Sequence, residues 1–114
     1  MAAKSGQSTV LDVNTLVKNN KEKWINFNLT EVNDCIVRLG IFDGEFHWHK
    51  HDDEDELFFV LEGKLLLDLE GETLELAPGQ GYTVPRTVLH RTRAKEKTVV
   101  LMVEKNTVNP KGDA

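Results

Sequence analysis

Glu45-Phe46-His47-Trp48-His49-Lys50-His51-Asp52-Asp53-Glu54-Asp55-Glu56-Leu57-Phe58-Phe59-Val60-Leu61-Glu62-Gly63 holds three of the chain's four histidines. In an extended strand successive side chains point to opposite faces. His47, His49 and His51 therefore share one face of a strand over residues 45–51, with Phe46, Trp48 and Lys50 on the other. The next run is apolar on both faces, with Phe58 and Val60 on one and Leu57, Phe59 and Leu61 on the other. A strand buried on both sides lies between two packed layers or beneath another subunit, so a homodimer is expected.

Outward from this stretch the same grammar repeats. Short runs rich in Val, Ile, Leu, Phe and Trp fall at residues 24–29, 35–42, 45–51, 56–61, 64–69, 73–76, 82–84, 88–92 and 98–104. Between them stand Asn33-Asp34, Asp43-Gly44, Glu62-Gly63, Glu70-Gly71, Pro78-Gly79 and Lys95-Glu96-Lys97. Many short strands at this spacing predict an all-β antiparallel sandwich or barrel. Asp43-Gly44 and Glu70-Gly71 suit tight hairpins. A short N-terminal helix or turn is expected over residues 10–17, capped by Asn14 or equally by Asp12. The organisation expected is an N-terminal segment over residues 1–22, a β domain over 23–105 and a C-terminal tail over 106–114. The first nine residues should fray, and the tail should lie over the surface or onto a neighbour.

Composition narrows the partners. The 114 residues suit one domain, and 39% hydrophobic with 29% charged residues suits a globular one. The net charge of −5 equals the unbroken acidic run at residues 52–56; without it acids and bases balance. A basic nucleic-acid binder is excluded, because phosphate contacts need clustered Lys and Arg. No apolar stretch is long enough to span a bilayer, so no membrane partner is expected. A lone Cys35 cannot form an internal disulfide, and no apolar segment of a secretory signal follows Met1. A cytoplasmic location is expected.

The chemistry gathers on the histidines. His49 and His51 can present two imidazoles to one point, Glu56 follows after a hairpin's length, and His90 lies in a separate strand. Imidazole nitrogens with one carboxylate oxygen are the common surroundings of a divalent transition metal. A single His on a sheet face more often only satisfies core hydrogen bonds; the pair with Glu56 and a remote His favours metal. His47, on the same face but one layer away, either lines the site and hydrogen-bonds around it, or acts as a general base or an alternative ligand. Arg38 either reaches the interior and holds an anionic substrate or is a surface charge. Phe46 and Trp48 read as packing or dimer interface, Arg91 and Arg93 as solvent salt links, Cys35 as a small core residue and Met102 as core or cavity lining.

These residues carry a resemblance. His49-Lys50-His51-Asp52-Asp53-Glu54-Asp55-Glu56, with Gly63 beyond, resembles the first cupin motif, and Gly79 through Pro85 to His90 resembles the second. Glu56 rather than Glu54 matches the motif's spacing to Gly63. Thr87 stands where the second motif usually has Gly, and Ala94 where it often has Asn. The chain is similar to small single-domain bacterial cupins of the mannose-6-phosphate isomerase-like group. The resemblance implies a single-domain cupin jelly-roll β-barrel holding one divalent ion (Mn, Fe, Ni, Cu or Zn) through His49, His51, Glu56 and His90. It implies a small-molecule substrate or ligand and, if the protein is an enzyme, a metal-dependent oxidoreductase such as a dioxygenase. A sugar isomerase and a non-catalytic module that binds metal or a small ligand are the alternatives.

Overall fold

The computed structural model describes residues 10–113; the expected fraying of residues 1–9 lies outside the described residues. One helix and seven strands follow in order: α1 (Val13–Asn19), β1 (Trp24–Val32), β2 (Cys35–Glu45), β3 (Glu56–Glu62), β4 (Leu65–Leu69), β5 (Glu72–Leu76), β6 (Gly81–Val84) and β7 (His90–Lys105). Asp12 caps α1: its carboxylate accepts from the Thr15 amide at 3.1 Å and the Thr15 hydroxyl at 2.7 Å. Seven residues are too few for a helix to persist alone in water. Val13, Leu16 and Val17 hold it by packing over Leu39, Ile41 and Val99.

All strand pairs are antiparallel, and β7 organises them. One of its edges takes β2. The other is shared, with Arg93 to His90 pairing β4 and residues 99–104 pairing β3. β1 pairs β2, β6 pairs β3 and β5 pairs β4. The expected closed jelly-roll β-barrel is thus corrected to an open, branched sheet with one short helix. Closure needs the terminal strands to find each other, but β1 and β6 each have one partner, at opposite ends of the path β1-β2-β7-β3-β6. Because β4 and β3 divide one edge of β7 between them, the sheet splits there instead of running round to meet itself.

Three local expectations change as well. Asp43-Gly44 is no hairpin: β2 runs through it, and Gly44, at φ +127°, sits at a bulge. Lys95-Glu96-Lys97 does not divide two strands. Pairing passes from Gly44↔Ala94 to Phe42↔Thr98, so those three exposed residues bulge opposite Asp43 while β7 stays one 16-residue strand. The strand expected over residues 45–51 ends at Glu45 and is otherwise reduced to a single bridge, His49↔His90. Glu62-Gly63 does turn the chain. Gly63 sits at φ +87°, where an added Cβ would lie 2.6 Å from the Thr98 hydroxyl and 2.7 Å from the Lys97 carbonyl, so only Gly fits.

The interior face carries Phe42, Phe58, Val60, Leu65, Leu67, Val84, Val100 and Met102 in one buried cluster. At a typical 25 cal/mol per Å² of apolar surface, burial on this side is what holds the strands in register. At one end of the same interior the side chains become polar.

Candidate metal centre

Three short pieces of chain meet at that end. Glu56 opens β3, His90 opens β7, and the irregular segment between β2 and β3 supplies His49 and His51. The bridge pins His49 to His90, each amide donating to the other's carbonyl at 2.9 Å. The Thr87 amide donates to the His51 carbonyl at 2.7 Å. All four side chains are buried, and each offers a donor atom within 4.8 Å of the others. His51 Nε2 is 3.1 Å and His90 Nε2 3.4 Å from Glu56 Oε1.

The tautomers follow from the neighbours. His49 Nδ1 is 2.9 Å from the His47 carbonyl, and His90 Nδ1 is 2.9 Å from the Val88 carbonyl. A carbonyl only accepts, so both Nδ1 atoms carry the proton and both Nε2 atoms keep a lone pair. His90 Nε2 is buried with no hydrogen-bond partner. An orphaned lone pair beside a carboxylate and two more imidazoles is a donor set that fits a divalent transition metal.

Protonation states agree with that fit. Burial pushes His49 down to about 4, which keeps it neutral. Burial opposes charge on Glu56, but the hydrogen bond with His51 Nε2 holds its carboxyl well below the usual range. His51 is disfavoured as a cation by burial, yet the Glu56 carboxylate outweighs this and raises it. A buried anion among imidazoles is the arrangement a cation would complete.

A chamber opens beside the cluster, reached by His49 and Glu56 and lined further by Trp24, Phe42, Phe46 and Met102. Trp24 stacks on Phe42 with centroids 4.1 Å apart, and Phe46 meets His49 edge-on at 5.2 Å. Phe46 therefore stands with the clustered histidines, not opposite them, because residues 46–48 are not a regular strand and alternation does not apply. Trp48 is exposed, with the Arg91 guanidinium 5.2 Å from its ring centroid. Met102 is at once core and chamber wall. Cys35 is only half-buried, at a strand end.

Arg38 lies inside the chamber, its Nε 3.0 Å from Glu104 Oε2. Burial, then the neighbouring Glu56, pushes the Glu104 carboxyl up to about 9. Glu104 is the site residue that sequence reasoning missed. It ends the inward-facing alternation Val100, Met102, Glu104, and an acid in that series was the available sign.

The C-terminal residues cross the rim of this site. His47 Nε2 is 2.7 Å from the Lys111 carbonyl, so the exposed ring of His47 is directed to the tail. The Asp113 amide donates to the Lys50 carbonyl at 2.8 Å, and the Asp52 amide to Asp113 Oδ2 at 2.7 Å. The Thr107 hydroxyl donates to Glu54 at 2.8 Å. Gly112, at φ +94°, lies so close that an added Cβ would meet the His49 Cβ at 2.4 Å. The tail thus rests on its own chain.

Comparison with known proteins accords with this geometry. A Bacillus subtilis (strain 168) protein, YdbB, described as uncharacterized, is 51% identical over 85 residues, covering 74% of this chain and 75% of that one. The Streptomyces cyaneus polyketide synthase CurC is 42% identical over 45 residues, 40% of this chain and 29% of that protein. The crystal structure of a cupin-2 domain containing protein from Shewanella frigidimarina NCIMB 400 superposes with a TM-score of 0.80 at 30% identity. It covers 90% of this chain and 97% of that one. Residues 39–104 match the family model described as the cupin domain, the span that contains all four clustered donors, and the chain belongs to the cupin family.

Proposed function

We propose that His49, His51, Glu56 and His90 hold one divalent transition metal ion and that the protein is a metal-dependent enzyme of the dioxygenase kind acting on a small organic molecule. The observation that carries the reading is the buried cluster of four donors with an orphaned His90 Nε2, opening on an aromatic chamber. When bound, such an ion supplies Lewis acidity and, for Fe, Mn, Ni or Cu, a redox-active centre. The chain's own contribution is position. The His47 and Val88 carbonyls fix two imidazoles, Glu56 gives the charge, and Trp24, Phe42 and Phe46 give the chamber an apolar side.

Metal analysis of protein purified without chelating resin is expected to give about one equivalent of a redox-active ion. O₂ uptake with small enols or diketones is then expected to depend on it. Redox-inert zinc at full occupancy with no O₂ consumption would sink the dioxygenase reading. Glu56→Gln, which keeps the shape but removes the charge, is expected to lower metal affinity by at least tenfold. Full occupancy in that variant would refute the ligand assignment. We further propose a homodimer; the half-exposed Leu57, Phe59, Leu101 and Val103 on the outer face of the sheet support it.

A further inference from the structure

Arg38 poses a problem that the metal cluster does not answer. It is only 8% exposed, and its Nε is buried without an aligned hydrogen-bond partner. Glu104 Oε2 lies 3.0 Å away and offsets the charge without satisfying the donor, while Glu104 Oε1 also lacks a partner. A buried guanidinium left short of an acceptor is costly unless something else supplies one. Among the described residues, Arg38 is also the only Lys or Arg lining the chamber, which it shares with His49 and Glu56.

Charge balance points the same way. With a divalent ion on the cluster, Arg38 and the ion together outweigh Glu56 and Glu104, whether or not Glu104 keeps its proton. The chamber is then positive and suits a monoanion. Its remaining wall sets Asn26 and Thr92 among aromatic rings, with Trp24 and Phe42 stacked within 17° of parallel and Trp24 and Phe46 within 9°. Such surfaces favour a planar ring.

We propose that Arg38 anchors the substrate, which is a small flat molecule with an anionic oxygen. Its ring lies along Trp24, Phe42 and Phe46, the anionic oxygen is received by the Arg38 guanidinium, and a second oxygen reaches the His49, His51, Glu56 and His90 cluster. The proposal rests on the metal-binding reading above and assigns Arg38 a positioning role that a plain buried ion pair with Glu104 would not have. Arginine suits the task because its planar fork pairs with oxygen anions in a fixed geometry, which lysine does not reproduce.

The test is a calorimetric titration of the zinc-loaded full chain with salicylate, which carries a ring, a carboxylate and a phenolic oxygen, and with phenol, which lacks the anion. The wild type is expected to prefer salicylate by at least tenfold. Arg38→Gln is expected to erase that preference while phenol affinity stays within twofold. Arg38→Lys, which keeps the charge beside Glu104 and so protects the fold, is expected to reduce the preference at least threefold. No salicylate preference in the wild type, or an undiminished preference in either variant, overturns the proposal. Zinc content of the same samples reports on the metal reading separately. If the wild type takes up no zinc, that reading fails and this proposal with it; zinc uptake without a salicylate preference overturns this proposal alone.

Discussion

Thr87 adopts φ +71°, a left-handed conformation that a β-branched residue rarely takes. The turn exists because its amide must reach the His51 carbonyl, 2.7 Å away. Holding an L-residue there costs about 1–2 kcal/mol. Glycine would avoid that cost and lose about 0.5–1 kcal/mol through the freedom it regains in the unfolded chain. Thr87→Gly is therefore expected to raise stability by about 0.5–1 kcal/mol, read as a higher urea midpoint with unchanged m. An unchanged or lowered midpoint would mean the turn is not strained. At this scale much was legible: the spacing of His49, His51, Glu56 and His90, and the oddity of Thr87 where relatives of the motif carry Gly. What escaped were residues whose role depends on backbone direction. Phe46 was misplaced by assuming a strand that the chain does not form, and Arg38 and Glu104 meet only because β2 and β7 pair near those positions.

Among the elements, β7 carries the most, and its outward side chains tie β4 to it. Asp68 on β4 accepts from Arg93 Nε at 2.6 Å and Nη2 at 2.9 Å, from Arg91 Nε at 2.7 Å and from the Thr73 hydroxyl at 2.6 Å. The Arg91 and Arg93 salt links expected at the solvent thus converge on a buried acid. Hydrogen bonds from Arg93 first, then Thr73 and Arg91, hold the Asp68 carboxyl far below its ordinary value. A depressed folded pKa contributes stability above the unfolded value, near pH 4, and loses it as pH falls. Asp68→Asn is expected to cost about 2 kcal/mol at pH 7, since both arginines keep some water contact. It should also flatten the loss of stability below about pH 4, seen in denaturation midpoints from pH 3 to 7. Equal acid sensitivity in both proteins would count against this network. Strand existence was readable from sequence here, but Asp43-Gly44 and Lys95-Glu96-Lys97 were not. Turn-forming residues also serve in a bulge, and only the pairing of β2 with β7 decides which.

For the whole molecule, the open edge of the sheet and its outer face matter most. Leu57 and Phe59 of β3 stand opposite Val103 and Leu101 of β7, half-exposed on the side away from the larger buried cluster, with Leu101 also packed on the cluster under α1, and Leu61 is 37% exposed. Covering this strip with a second copy would explain why both faces of residues 56–61 are apolar. Phe59→Lys is expected to convert a dimer to a folded monomer, measured by light scattering with circular dichroism as the control. A monomeric wild type at micromolar concentration would end the dimer proposal. The run was legible as two-sided burial, yet sequence alone could not tell a second layer from a second subunit. Among the described residues no helix is long and apolar enough to cross a membrane.

The tail that crosses the site has a consequence in time. His47 and Lys111, joined by a hydrogen bond, are 64 residues apart in the chain. At a ribosomal rate of about 5–20 residues per second, roughly 3–13 s separate the synthesis of the histidine segment from that of its strap. His90, the last of the four clustered donors, precedes Lys111 by 21 residues, about 1–4 s of synthesis, so the donors are all made before the strap is complete. In the proposed metal site, loading would then precede sealing. A chain stopped after Val108 is expected to fold and take up metal, but to release it to a chelator several-fold faster than the full chain.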